Sequence, residues 1–304
     1  MKKNLARRVW NARSAYAFIA PAYIPFLIFT LWPLIQGLRL SLYKAGVNRA
    51  KWEFIGLGNF VWLFTKDRAF FPFAIRNTFL FVVLVVPAAL LISLFISVII
   101  FPTGRRTQSF FRLSFYMPVV AGGVILAMVW IWIFNRDFGL LNYLLETLSV
   151  LKLFGLEKIG WLAQTNTALF SLSIVVLSWS LGQPVILFLA ALGGIPQELY
   201  DAAKIDGANA WQEFKSITLP LLRPTMLFVL VTVTIAVFQV FVVVWLMTLG
   251  GPANATQTIV FRMWENAFTF FKFGRAAAMG VVLLIIVGTV ALIQFKFFGE
   301  EVEF

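Results

Sequence analysis

The stretch Gly194-Ile-Pro-Gln-Glu-Leu-Tyr-Asp-Ala-Ala-Lys-Ile-Asp-Gly-Ala-Asn-Ala-Trp-Gln-Glu-Phe-Lys-Ser-Ile-Thr-Leu-Pro220 is a polar island between long apolar runs. It divides into two short helices. Pro196 suits a first helical position, and Glu198 and Asp201 favour the positive end of the helix dipole. Leu199, Ala202 and Ala203 share one face, and the two alanines let another surface approach closely. Gly207 supplies the left-handed turn that ends the first helix. Trp211, Phe214 and Ile217 give the second an apolar stripe at helical spacing, and Pro220 is expected to stop it. Such a hairpin either lies on a membrane surface or docks against another protein; its periodicity does not separate the two.

Outward from the hairpin, six stretches reach the roughly 20 residues that a bilayer crossing needs: 15–38, 77–101, 113–134, 166–192, 225–249 and 276–295. None contains Asp, Glu, Lys or Arg. The whole chain is 61% apolar and only 12% charged, against about 25% charged in soluble domains, so its solvent is lipid. Prolines 21, 25, 33, 87, 118 and 184 fall inside the runs, where neighbouring helices can satisfy the freed backbone. Gly122, Gly123, Gly182 and Gly280 permit close helix approach. The expected fold is all-α, a polytopic membrane bundle of six transmembrane helices.

The net charge of +12 would suggest nucleic acid in a soluble protein. Here the charges sit in loops where chain meets membrane, and no nucleic-acid partner is expected. The basic N-terminal stretch resembles a signal n-region, but the apolar run behind it is too long for an h-region, which predicts a retained first span. That tail holds Lys2, Lys3, Arg7, Arg8 and Arg13 without an acid, and Arg105, Arg106 and Arg112 follow the second span, which predicts both termini in the cytoplasm. The first external loop opposes this with Lys44, Arg49, Lys51, Lys66 and Arg68; the first span and the short loop are weighted above it. The chain divides into a basic tail (1–14), a first helix with its external loop (15–72), a five-helix core (73–298) carrying the loop at 194–223, and a C-terminal tail (299–304).

Asp201-Ala-Ala, Gly207 and Ile217-x-Leu219-Pro220 resemble the EAA loop of ABC importer permeases, with Asp201 replacing the usual Glu. Ile205-Asp-Gly-Ala208 and Leu219-Pro-Leu-Leu222 are similar to the carbohydrate-uptake branch, the maltose and multiple-sugar type with a MetI-like fold. Phe54-Ile-Gly-Leu-Gly-Asn-Phe60, Asn77-Thr78, Thr248-Leu-Gly-Gly-Pro252 with Thr256, and Phe273-Gly-Arg-Ala-Ala-Ala278 extend the likeness over nearly the whole chain.

The resemblance implies a non-enzymatic permease of a bacterial or archaeal cytoplasmic (inner) membrane. Its loop would be a coupling helix seated in a cleft of a separate ATPase, with Glu198, Asp201, Ala202, Ala203, Asp206, Gly207, Phe214 and Pro220 forming the contact. The implied partners are a second homologous permease, two ABC ATPase subunits, an extracytoplasmic solute-binding protein and membrane lipid. No cofactor is expected in this chain; ATP and Mg belong to the ATPase. The sequence agrees, since it lacks a Gly-x-x-x-x-Gly-Lys-[Ser/Thr] phosphate loop. The carboxylates or histidines that proton-driven carriers place inside the membrane are also missing from the spans, as are His and Cys from the entire chain.

Sugar recognition combines aromatic faces with hydroxyl or amide groups. Candidates are Ser178, Trp179, Gly182 and Gln183 in the fourth span, then Thr232, Thr234 and Gln239 in the fifth. For each, hydrogen bonding between helices is the competing structural role. Trp130 and Trp132 are expected as lipid-interface anchors. Polyols and glycerol phosphodiesters stay open as cargo. A self-contained secondary carrier and a membrane-embedded enzyme are disfavoured by spans without charge and by external acids that are only scattered, such as Glu53, Asp67, Asp137 and Glu265.

Overall fold

Apolar segments in lipid become helices because each backbone N–H must find its carbonyl within the segment. The computed structural model describes residues 13–149, 153 and 157–298. Residues 1–12 of the expected basic tail, and the expected C-terminal tail, lie outside the described residues.

Helix α1 (Tyr16–Leu40) leads through a two-stranded ladder, β1 (Tyr43–Lys44) with β2 (Glu53–Phe54), and helix α2 (Gly58–Thr65) into α3 (Phe70–Ile100). Next come α4 (Arg105–Ile133) and α5 (Leu140–Thr147). The fourth crossing is a pair, α6 (Thr165–Ser180) and α7 (Gly182–Gly193), bent by 41°. Helices α8 (Gln197–Ile205) and α9 (Ala210–Glu213) build the hairpin. The fifth crossing is α10 (Leu219–Phe238) followed by α11 (Val242–Met247), then short α12 (Ile259–Trp264) and α13 (Phe273–Phe298). Among the described residues, five helices long and apolar enough to cross a membrane plus the bent pair give the six expected crossings.

The centre of the bundle is α3. It packs on α6, α7 and α10, and its Phe81, Val85 and Ala89 join Leu172, Phe188 and Val233 in one buried cluster. In a bilayer such packing is held by dispersion and small residues, since lipid tails are as apolar as the side chains. A second cluster, with Leu63, Phe70, Phe238, Ile259 and Met279, ties α2 and α12 to the inner face of α13. By contrast α1 leans outward. No residue of its apolar stretch is buried, and its last segment, Trp32–Leu40, packs on α13.

Three crossings are interrupted in mid-course. In α4, Gly122 adopts φ 79° and ψ 157°, a region essentially confined to glycine. The fourth crossing bends at Leu181, and the fifth breaks between Phe238 and Val242. Close approach accompanies the breaks. A Cβ on Gly123 would stand 2.8 Å from the Trp179 ring, and one on Gly182 would stand 2.5 Å from the Phe115 carbonyl oxygen. Gly122 therefore makes a bend, whereas Gly123 and Gly182 serve the packing expected of them. Trp130 is a correction to the sequence expectation: its Nε1 donates to Ser178 Oγ at 3.2 Å and its ring packs against the core, while Trp132 stays exposed.

On the face opposite the hairpin, a buried ion cluster joins segments far apart in sequence. Asp67 has a fully buried side chain and accepts from Arg262 Nη2 at 2.9 Å and Nε at 3.2 Å. Asp67 Oδ1 also accepts the backbone N–H groups of Ala69 and Phe70, which starts α3. Arg262 Nη1 reaches Glu265, whose Oε2 also accepts from Gln257 at 2.6 Å. Burial opposes the guanidinium charge, but the hydrogen bonds and fields of Asp67 and then Glu265 outweigh it and hold the Arg262 pKa above its ordinary value. Nearby, Asn77 Nδ2 donates to the carbonyls of Asn254 and Gln257, and Thr78 Oγ1 accepts from the Ile259 N–H.

Removing one partner of a buried pair leaves the other uncompensated. Asp67→Ala is expected to destabilise the bundle by about 3–5 kcal/mol, read as a lowered Tm of the detergent-purified protein. Asp67→Asn, which keeps an acceptor for the two N–H groups, should fall between. An unchanged Tm in both variants would show that the cluster holds nothing together.

Candidate functional site

The hairpin projects from the bundle. Pro196 caps α8, one position before the expected one, Glu198 lies in its first turn, and no residue of α8 is buried. Gly207 turns the chain with φ +78°, and a Cβ there would meet nothing within 4 Å, so backbone conformation alone calls for glycine. Asn209 then opens α9 with a capping box: its Oδ1 accepts from Gln212 N at 3.0 Å and its N–H donates to Gln212 Oε1 at 2.8 Å. The two arms are tied by Tyr200 and Thr218, whose hydroxyls lie 2.9 Å apart.

The second arm departs from expectation. Pro220 does not stop a helix. After α9, a π turn at Phe214–Thr218 carries the chain directly into α10, with Pro220 in its first turn. The Leu219 N–H bonds to the Phe214 carbonyl. Lengthened bonding spares Pro220 the usual contact with the preceding turn, and its missing N–H costs little where the bonding pattern changes. The hairpin and the fifth crossing are therefore one continuous element.

Of the residues assigned to coupling, Glu198, Asp201, Ala202, Asp206 and Gly207 are exposed, and Ala203 is half-buried. Phe214 and Pro220 are also half-buried; Phe214 stacks on Trp211 at 5.6 Å and packs against the core, so it anchors the loop. Asp201 has weak local contacts, Gln197 Nε2 at 3.3 Å and Lys204 Nζ at 4.0 Å, both in water. Ile205, not among the assigned residues, is 87% exposed beside Asp206, and Trp211 is 68% exposed. Exposed large apolar side chains beside three carboxylates form a surface built for contact. An isoleucine directly before the polar Asp-Gly turn was the signal available in the sequence.

The candidate cargo residues separate. Trp179, Gln183 and Thr232 share a cavity of about 140 Å³ with Val119, Ser180 and Pro184, between α4, the α6–α7 bend and α10. The Gln183 side chain is exposed in the isolated chain. Ser178 is turned to a structural task, accepting from Trp130 and donating to the Val175 carbonyl at 2.7 Å. Gly182 is buried against Phe115. Thr234 is buried and accepts from Gln294 Nε2 at 2.8 Å. Gln239 is exposed at the end of α10, where the crossing breaks, and does not line the same cavity.

Residues 101–302, which include the hairpin and every candidate cargo residue, match the family described as binding-protein-dependent transport system inner membrane component. The chain is 38% identical over 300 residues to the probable ABC transporter permease protein YesP of Bacillus subtilis (strain 168), covering 97% of this chain and 93% of that one. It is 34% identical to the lactose transport system permease protein LacF of Rhizobium radiobacter, with 93% of each chain covered. Its fold matches a crystal structure of a bacterial ABC transporter involved in the import of the acidic polysaccharide alginate, with TM-score 0.79, 24% identity, and coverage of 97% of this chain and 99% of that one. The chain therefore belongs to the inner-membrane components of binding-protein-dependent transport systems: it is a multi-pass permease of the ABC importer class and not an enzyme.

Proposed function

We propose that this permease imports a neutral carbohydrate, an oligosaccharide or related glycoside, received from an extracytoplasmic binding protein. The observation that carries this is the meeting of Trp179, Gln183 and Thr232 where the helices of the bundle are interrupted. An aromatic face, an amide and a hydroxyl are the groups a sugar ring and its hydroxyls require. Among the described residues no Lys or Arg lines the cavity, which favours a neutral cargo over a phosphodiester. The lactose permease among its relatives supports the same class.

Energy enters at the hairpin. ATP-driven closure of two ATPase subunits, which hold the ATP and Mg, would press on the exposed face of α8. The carboxylates of Glu198, Asp201 and Asp206 suit basic or polar groups, and Ile205 suits an apolar socket. The loop then lies in the cytoplasm, as do both termini. A second, homologous permease completes a pair, so that two coupling loops match a two-fold ATPase.

The test is ATP hydrolysis by the reconstituted importer with a panel of sugars. Asp201→Lys combined with Gly207→Trp is expected to abolish sugar stimulation and weaken ATPase association. If this variant assembles and hydrolyses ATP like the parent, the hairpin does not dock the ATPase. For the cavity, Gln183→Leu is expected to raise the half-saturating sugar concentration by about tenfold, the effect of one lost polar contact, with assembly unchanged. Equal transport by Gln183→Leu and Trp179→Ala variants would place the cargo elsewhere.

A further inference from the structure

We propose that a pocket at the far end of α1 binds the phosphodiester of a membrane phospholipid. About 690 Å³ in volume, it is lined by residues that include Trp32, Gln36, Arg39, Tyr43, Arg49 and Trp52. Two guanidiniums, one amide and three aromatic rings thus face one space. The Arg39 guanidinium lies 5.7 Å from the Tyr43 ring centroid, and that of Arg49 lies 5.7 Å from the Trp52 ring. Trp52 is pinned in turn, its Nε1 donating to the Gly46 carbonyl at 2.8 Å.

The charge of the pocket is uncompensated. Among the described residues, neither Arg39 nor Arg49 has a carboxylate within 4.0 Å, whereas neighbouring Lys44 has Glu53 at 3.9 Å. Arginine forks match phosphate oxygens in geometry and charge. The remaining question is what brings the anion, and the depth of the pocket answers it. Helix α1 has 25 residues, about 37 Å at ~1.5 Å per residue, against a hydrocarbon core of about 30 Å. Its last turns, with Gln36 and Arg39, stand at headgroup level, with Trp32 at the boundary where indole rings settle. The rest of the helix is unburied along its apolar window, leaving room for an acyl chain to run down from the pocket.

A carboxylate from a docking protein would meet the same arginines, but would have no use for the apolar wall below them. Lipid also accounts for a basic loop on this face: the first loop carries Lys44, Arg49, Lys51, Lys66 and Arg68, and among the described residues a carboxylate lies within 4.0 Å of Lys44 alone of these.

The experiment uses the assembled importer in nanodiscs of phosphatidylcholine with graded phosphatidylglycerol, followed by native mass spectrometry of retained lipid. Arg39→Gln with Arg49→Gln is expected to reduce lipid retention about tenfold to thirtyfold, the scale of two basic groups at a charged membrane surface. Lys51→Gln, an exposed neighbour outside the pocket, should leave retention unchanged. Both arginines are exposed, and Arg49→Gln alone, in the loop, gives a milder variant should the double one fail to assemble. Equal retention in Arg49→Gln and parent, or equal loss in Lys51→Gln, overturns the site. Displacement of the lipid by inorganic phosphate would show a free-anion site instead. Unchanged lipid with weakened binding-protein affinity would make the pocket a protein contact.

Discussion

A helix that crosses lipid is not free to break, and this bundle breaks three of its crossings. Each interruption leaves backbone groups that water cannot reach, so it is tolerated only where protein or a cavity meets it. Gly122, Leu181 and the segment from Gln239 to Phe241 satisfy that condition together. Gly123 lies under the Trp179 ring, Gly182 lies on the Phe115 backbone, and Val240 recovers a partner when Thr258 Oγ1 donates to its carbonyl at 3.2 Å. The cavity between Trp179, Gln183 and Thr232 is what remains where the crossings bend apart. A path for a polar solute and a set of broken helices are, in a membrane, the same requirement.

Bent helices are soft, and the structure opposes that softness on one face. The Asp67–Arg262 pair bridges 195 positions of sequence and fixes α12 against the start of α3. Asn77 and Thr78, about two turns into α3, clamp the loop before α12 and the first residue of α12 itself. The ends of the second, fifth and sixth crossings are thereby held as a frame, and the bends lie between that frame and the hairpin.

What the sequence shows and hides follows from how local each signal is. Spans free of charge, Gly207 and the hairpin between the fourth and fifth crossings are visible because each is decided within a few residues. Pro220 misleads because its local preference is to stop a helix, and a π turn at Phe214–Thr218 removes the conflict that the preference expresses. Trp130 has the composition of an interface anchor, but its partner Ser178 lies 48 positions away. Asp67 and Arg262 each look like ordinary loop charges until the fold joins them. Among the cargo candidates, Gln183 and Thr232 line one cavity, with the Thr232 hydroxyl donating to the Phe228 carbonyl of its own helix, while Ser178 and Thr234 bond to Trp130 and Gln294 on other helices; only position in the fold separates them.

The continuity of the second hairpin arm with the fifth crossing decides how force can travel. A hairpin joined by a flexible stop at Pro220 would swing without moving the span. Here α9, the π turn and α10 form one rod, and the Tyr200–Thr218 contact braces α8 against it. Phe214, with Trp211 stacked on it, packs against the buried cluster that includes Leu94 of α3 and so ties the base of that rod to the central helix. A displacement of α8 would reach Thr232 through helix backbone, after nearly four turns of α10, before meeting the break at Gln239. The cavity proposed for the cargo lies along that rod, and the break at Gln239 lies just beyond it.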